Sequence, residues 1–142
     1  MKSFLFVLVQ FVTLGVIAVT GPLIPSRGWL VAVEFAGILL GVWAVLTMRL
    51  GNFNITSDVK PNSRLITSGP YALIRHPMYA ALLVVTLPLL VEHFTVFRLA
   101  VWVLLLVDLV LKLNYEEGLL KQAHPDYAAY MEHTYRLVPF VY

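Results

Sequence analysis

Residues 29–48 read WLVAVEFAGILLGVWAVLTM, with Glu34 as the single ionisable side chain. A run of about twenty apolar residues is what an α-helix needs to cross the hydrocarbon core of a bilayer. Further spans are predicted at 4–20, 71–91 and 94–113. The span 71–91 is obtained by extending the short apolar run 78–91 back to residue 71. Because backbone polar groups must be paired within lipid, the pattern predicts an all-α integral membrane protein with four transmembrane helices.

The composition points to the same class of protein. Of the 142 residues, 60% are apolar and 13% are charged, whereas an ordinary soluble domain is about half apolar and about a quarter charged. The length allows one domain, 1–142, and the apolar fraction excludes a disordered chain. Cysteine is absent from the sequence, which excludes disulfides, thiolate catalysis and Cys-ligated metal sites.

The distribution of positive charge predicts the orientation in the membrane. Four spans place the N-terminus, the loop 49–77 and the C-terminal tail 114–142 on one side. Of the ten Lys and Arg residues, only Arg27 and Arg98 fall on the other side. The positive-inside rule therefore predicts cytoplasmic N- and C-termini. The first stretch, 4–20, is long for the apolar region of a signal peptide and lacks a good cleavage site, so we interpret it as a retained helix.

The loop ends in the segment GPYALIRHPMY at 69–79. Gly69-Pro70 is typical of a turn, Pro77 suits the first turn of a helix, and a residue that precedes proline avoids the helical region. Arg75 and His76 are thus predicted at the positive end of a helix dipole, where a carboxylate or phosphate is favoured. The alternative is that the two basic side chains only mark the headgroup boundary.

A second group of polar residues follows the last apolar stretch. Asp108, Lys112 and Glu116 are spaced by four residues, which places them on one face of a continuing helix, and Glu117 points about a quarter-turn away. Ionisable groups within a span usually face a bundle interior or a cavity. The alternative is an ion-pair ladder without a ligand.

The tail supplies aromatic and basic residues. Tyr127 and Tyr130 are predicted to form an aromatic face at the headgroup level, and Arg136 stands before the helix-stopping Pro139. Neither glycine-rich nucleotide motif is present, and the histidines show no metal-ligand spacing, so we expect no metal and no nucleic acid as partners. The pair Gly37-x-x-x-Gly41 serves internal packing or dimerisation, and we prefer the former.

Three ordered matches give the sequence a family resemblance. They are Tyr71 followed by Arg75-His76-Pro77-Met78-Tyr79, then Glu116-Glu117, then Tyr127-x-x-Tyr130 closing with Pro139-Phe140. Together they resemble the integral-membrane methyltransferases of the isoprenylcysteine carboxyl methyltransferase family, which look related to the phospholipid N-methyltransferases. The similar stretch runs from about residue 49 to residue 140, roughly two thirds of the chain.

The resemblance implies an S-adenosylmethionine site built from membrane helices and a cytosolic cap. Its implied cofactor-binding residues are Ser63, Arg64, Leu65, Ile66, Tyr71, Arg75, His76, Pro77, Met78, Tyr79, Glu116 and Glu117. Of the two glutamates, Glu116 is the favoured contact. Arg136 or Lys112 is expected to position the methyl acceptor, which gives Arg136, Lys112 and Glu116 as the catalytic set.

Two departures from the family pattern bear on the acceptor and on packing. Lys112 stands where the prenylcysteine enzymes have arginine, and Ala81 where the family often has glycine. Lysine does not reproduce a bidentate arginine contact with a carboxylate. The expected function is methyl transfer to a small amphipathic or lipid-like acceptor of the isoprenylcysteine carboxylate type, within the bilayer. The alternatives are a phospholipid N-methyltransferase and a non-catalytic lipid-binding membrane protein.

Overall fold

A computed structural model describes residues 2–52 and 64–142, with the side chains of 49–52 excepted. Within these residues the fold contains α-helices, one 3-10 turn at Gly69–Ala72 and no named strand. The helices are α1 (Lys2–Val19), α2 (Gly28–Asn52), α3 (Pro77–Glu92), α4 (Val96–Ala123) and α5 (Tyr127–Glu132). The all-α class is therefore confirmed for the described part of the chain.

Two segments of the described chain are long and apolar enough to cross a membrane, Lys2–Val19 and Gly28–Met48. The helix Pro77–Glu92 is apolar but shorter. Large apolar side chains such as Phe35, Ile38 and Leu104 are exposed, as expected of helices whose outer faces contact lipid. A membrane protein is thus plausible on composition and length, and the arrangement of four spans stays a prediction.

The third predicted span was wrong at its start. The helix begins at Pro77 and not at residue 71, because His76 before the proline adopts φ −122° and ψ 59°, outside the helical region. Residues 69–72 form the 3-10 turn instead. Thr95 caps the start of the fourth helix, and the Thr95 side chain accepts a hydrogen bond from the Arg98 N–H. This helix is longer than the predicted span 94–113, since it continues to Ala123. As a result α4 carries the acidic pair at 116–117 without a break.

The helices pack in the spatial order α1, α4, α3, α2, so the first helix lies against the last long one. Ile17 of α1 joins Leu89, Leu105 and Leu109 in one buried apolar cluster. On the other side, a Cβ at Gly37 of α2 would lie 2.9 Å from the backbone nitrogen of Val85 in α3. Glycine therefore permits this close approach, and the glycine pair serves packing within the chain.

Arg98 lies at the end of the bundle away from the tail, and the residue is only 1% exposed. Its Nη1 donates to the Ile17 carbonyl at 3.0 Å and to Thr20 Oγ1 at 2.9 Å, and its Nη2 donates to the Leu89 carbonyl at 2.8 Å. Those carbonyls belong to the last turns of α1 and α3, where helices leave acceptors unpaired and partially negative. One guanidinium thus joins the ends of three helices.

The substitution Arg98→Met is expected to lower the free energy of unfolding by about 3 kcal/mol, because it leaves several buried acceptors without a donor. Thermal and denaturant unfolding of the detergent-solubilised protein measures the loss. The exposed Arg27 lies on the same side of the fold and provides the control substitution Arg27→Met. Equal stabilities of the two variants would contradict the role of Arg98.

Candidate active site

The C-terminal tail lies beside the segment that leads into α3. The Arg75 N–H donates to the Tyr135 carbonyl at 2.7 Å, the His76 N–H to the Arg136 carbonyl at 3.0 Å, and the Tyr135 N–H to the Leu73 carbonyl at 3.0 Å. Ile74 and Tyr135 form an isolated parallel bridge. These backbone contacts hold the tail over the start of α3, so residues far apart in sequence share one site.

The Arg75 side chain contacts one carboxylate on α4 and two carbonyls of the tail. Its Nε lies 2.8 Å from Oε1 of Glu117 on α4. Its Nη1 donates to the carbonyls of Met131 and Thr134 in the tail. The sequence predicted an anion at this arginine, and the structure places the Glu117 carboxylate there. Arg75 therefore joins α4 and the tail to the segment before α3.

Glu117 is held between two guanidinium groups and a histidine. Its Oε1 contacts Arg75 and lies 3.5 Å from His76 Nε2, while its Oε2 lies 3.2 Å from Arg136 Nη2. Burial alone would raise the pKa of this carboxyl, but His76 and Arg75 beside it lower the pKa to about 2. Glu117 is thus ionised at neutral pH and committed to internal contacts.

Glu116 has a different environment, although it is the next residue. Its side chain is 18% exposed, against 3% for Glu117. It accepts a hydrogen bond from the Tyr79 hydroxyl at 2.5 Å and lies 3.6 Å from His76 Nδ1. The His76 and Tyr79 rings are stacked, with centroids 5.4 Å apart. Glu116 is therefore the carboxylate of the pair that remains accessible to a cationic ligand.

Lys112 lies one helical turn before Glu116 and is 3% exposed. Its Nζ lies 5.0 Å from the centroid of the Tyr79 ring and donates to Gln10 Oε1 of α1 at 2.9 Å. Asp108, a further turn away, is also buried, and its Oδ2 has no hydrogen-bond partner among the described residues. The predicted face of α4 is therefore turned inward, toward α3 and α1.

Tyr127 does not form the exposed aromatic face that the sequence predicted. Tyr127 is only 1% exposed, and its ring lies 5.7 Å from that of Tyr130. The Tyr130 hydroxyl donates to the Tyr71 carbonyl at 2.6 Å, which fastens α5 to the 3-10 turn. Burial raises the pKa of Tyr130 to about 12, so the hydroxyl stays a donor at neutral pH. Contacts with the preceding loop, rather than the bilayer surface, decide where this aromatic pair lies.

Three buried polar atoms near the acidic pair have no hydrogen-bond partner in the described part of the chain: Tyr71 Oη, Tyr127 Oη and His76 Nε2. Both tyrosine hydroxyls are close enough to Glu116 for its charge to raise their pKa, in addition to the larger effect of burial. Buried polar groups are normally hydrogen-bonded. These atoms therefore leave hydrogen-bonding capacity unused beside the acidic pair.

The remaining predicted residues lie around this cluster or before it. Pro77 is buried as the first residue of α3, and Met78 is half-buried beside it. Arg64 is exposed, and Leu65 and Ile66 are half-buried in irregular structure before the 3-10 turn. Ser63 lies outside the described residues.

Sequence reasoning missed two participants. The Tyr127 hydroxyl was assigned to the membrane surface, although its spacing from Tyr130 is equally that of a packed helix. Gln10 was noted only as the most polar residue of the first apolar stretch. An amide within a span is costly unless it finds a partner, and that cost was the signal for an internal contact.

The acid stability of the protein should depend on Glu117. Its pKa is lowered from an ordinary 4.5 to about 2, so its stabilising contribution is complete above about pH 4.5 and is lost as the pH falls toward 2. We expect the difference in Tm between the wild type and Glu117→Gln to be largest at pH 5–7 and to shrink below pH 4.5, measured by thermal unfolding in detergent. The exposed Glu132 provides the control Glu132→Gln, and a pH-independent difference for Glu117→Gln would contradict the assignment.

Comparison with known proteins places this geometry in a family. Residues 29–122, about two thirds of the chain, match the model of the isoprenylcysteine carboxyl methyltransferase (ICMT) family. The match spans α2, α3 and most of α4, including Arg75, His76, Tyr79 and the acidic pair. Searches of curated proteins and of solved structures found no match. The family is one of membrane-embedded methyltransferases, and this chain belongs to the isoprenylcysteine carboxyl methyltransferase family.

Proposed function

We propose that this chain is an S-adenosylmethionine-dependent methyltransferase that acts on a small amphipathic or lipid-like acceptor of the isoprenylcysteine carboxylate type. The observation that carries the proposal is the pairing of a partly exposed carboxylate, Glu116, with the unpartnered buried hydroxyls of Tyr71 and Tyr127. In this proposal the chain has four spans and cytoplasmic termini, and the site lies at the cytoplasmic ends of α3 and α4.

The charges and donors of the cluster fit the chemistry of S-adenosylmethionine. The cofactor carries a carboxylate, an ammonium, a sulfonium and ribose hydroxyls. Glu116 suits a cationic group, and the tyrosine hydroxyls suit a carboxylate or the ribose. When bound, the cofactor supplies an electrophilic methyl carbon on a positively charged sulfur.

The part of the protein in such a reaction is mainly positioning. An ionised carboxylate or thiolate acceptor needs no general base, and holding the reacting atoms about 3 Å apart in line removes much of the barrier. Lys112 is the preferred residue for holding the acceptor. Arg136 already contacts Glu117, and it donates to the Tyr142 hydroxyl at 2.6 Å. Lys112 lies deeper in the bundle, beside a predicted membrane helix.

One feature favours the alternative acceptor, a phospholipid amine. The Asp108 carboxylate is buried next to Lys112, and its Oδ2 has no partner among the described residues. An unpartnered carboxylate oxygen suits an ammonium or amine donor. An anionic acceptor therefore needs the Lys112 ammonium, whereas an amine acceptor needs the Asp108 carboxylate.

Binding of the cofactor tests the class of function. We expect S-adenosylmethionine and S-adenosylhomocysteine to bind the purified protein in detergent with micromolar Kd by calorimetry. Glu116→Gln should weaken S-adenosylmethionine binding at least about tenfold, since it removes a charge-assisted contact. The exposed-glutamate variant Glu132→Gln should bind as the wild type does. Absence of binding to folded protein, repeated in lipid nanodiscs, would leave the non-catalytic alternative.

Comparison of two acceptors tests the substrate class. We expect radiolabelled methyl transfer to N-acetyl-S-farnesylcysteine to exceed transfer to dioleoylphosphatidylethanolamine, because Lys112 favours an anionic acceptor. Asp108→Asn should leave the first activity largely intact. Preferential methylation of the ethanolamine lipid, lost in Asp108→Asn, would assign the chain to the N-methyltransferase alternative.

A further inference from the structure

Gln10 is the most polar residue of the apolar part of α1, a helix that lies outside the residues matched by the family model. Its Oε1 accepts a hydrogen bond from Lys112 Nζ at 2.9 Å. A primary amide within lipid is costly unless its polar atoms are hydrogen-bonded. The contact with Lys112 therefore accounts for a polar residue at a position where an apolar one would suit the bilayer.

Lysine benefits from such a partner more than arginine does. Its ammonium is a compact charge on a flexible four-carbon stem, whereas the guanidinium is planar and pre-organised. In this chain Gln10 contacts the ammonium from α1, and the Tyr79 ring lies 5.0 Å from it on α3. Because a neutral amide carries no opposite charge, Gln10 orients the ammonium without neutralising it.

The contacts continue from Lys112 to the proposed cofactor contact. The hydroxyl of the same Tyr79 ring donates to Glu116, and Glu116 follows Lys112 by one helical turn, about 6 Å along the axis. Contacts from α1 and α3 thus contribute to the position of the ammonium relative to Glu116. A change at Gln10 reaches the site through Lys112.

We propose that Gln10 is a positioning residue for the methyl acceptor. It holds the Lys112 ammonium against Tyr79, so that an anionic head group bound by Lys112 lies beside the position of the transferable methyl group. This inference rests on the proposed function, and it adds α1 to the elements that determine acceptor binding. Lys112 touches the acceptor, and Gln10 acts only through Lys112.

Steady-state kinetics of the full chain in nanodiscs test the proposal, with N-acetyl-S-farnesylcysteine as the acceptor. Gln10→Leu is expected to raise the acceptor KM about tenfold and to leave the Kd for S-adenosylmethionine within about twofold of the wild type. The matched control is Thr13→Val, since among the described residues the Thr13 hydroxyl bonds only the Val9 and Gln10 carbonyls of its own helix. This control should change neither constant.

A double-mutant cycle separates positioning from a general effect on packing. If Gln10 acts through Lys112, Gln10→Leu has no further effect on the acceptor KM in a Lys112→Gln background. Should Lys112→Gln lower the activity below detection, Lys112→Arg takes its place, and the effect of Gln10→Leu should then be smaller than in the wild type. Additive effects in both backgrounds overturn the proposal.

The outcomes also distinguish this inference from the function on which it rests. A wild type that methylates the acceptor while Gln10→Leu is unchanged overturns the role of Gln10 alone. A wild type that binds S-adenosylmethionine but methylates neither the farnesylcysteine probe nor the ethanolamine lipid overturns the acceptor assignment, and the role of Gln10 with it.

Discussion

The buried ion pair between Arg75 and Glu117 is the contact on which the end of the fold that carries the tail depends. A buried charge without a partner is strongly destabilising, so once Glu117 is carried inward by α4, the chain must bring cations to it. Arg75 comes from the segment before α3, and Arg136 comes from the tail. The same guanidinium of Arg75 also binds two tail carbonyls. The tail is thereby fixed over the start of α3 and covers the site.

At the opposite end of the bundle a buried charge also has polar partners. There they are two backbone carbonyls and a hydroxyl in place of a carboxylate. Lipid provides no hydrophobic drive for one helix to pack on another, so close packing and polar contacts decide the arrangement. Arg98 supplies the polar contact between α1, α3 and α4, and Gly37 permits the close approach of α2 to α3. With both ends fixed, the side chains of the middle, Lys112 and Gln10 among them, face one another in a defined register.

The adjacent glutamates have different environments although they lie on one helix. Successive residues of an α-helix point about 100° apart, so Glu117 faces Arg75 and Arg136 while Glu116 faces Tyr79 and a partly open space. The committed carboxylate organises the surroundings of the accessible one. In the proposed function, a substitution of Glu117 therefore affects the site through stability, and a substitution of Glu116 affects it through binding.

The sequence by itself determined the helical class, the approximate position of the long helices and the family, because apolar stretches and the Arg-His-Pro and Glu-Glu motifs are local properties of the chain. It also identified Glu116 and Lys112 as members of one inward face of α4. It could not show that Arg75 is occupied by Glu117, that Tyr127 is buried rather than interfacial, or that Gln10 contacts Lys112. Each of these depends on residues distant in sequence: the tail folds back beside residues 73–76, and α1 packs against α4. Only the tertiary structure decides such contacts, since a charged or polar side chain takes whichever partner the packing of the helices brings within hydrogen-bond distance.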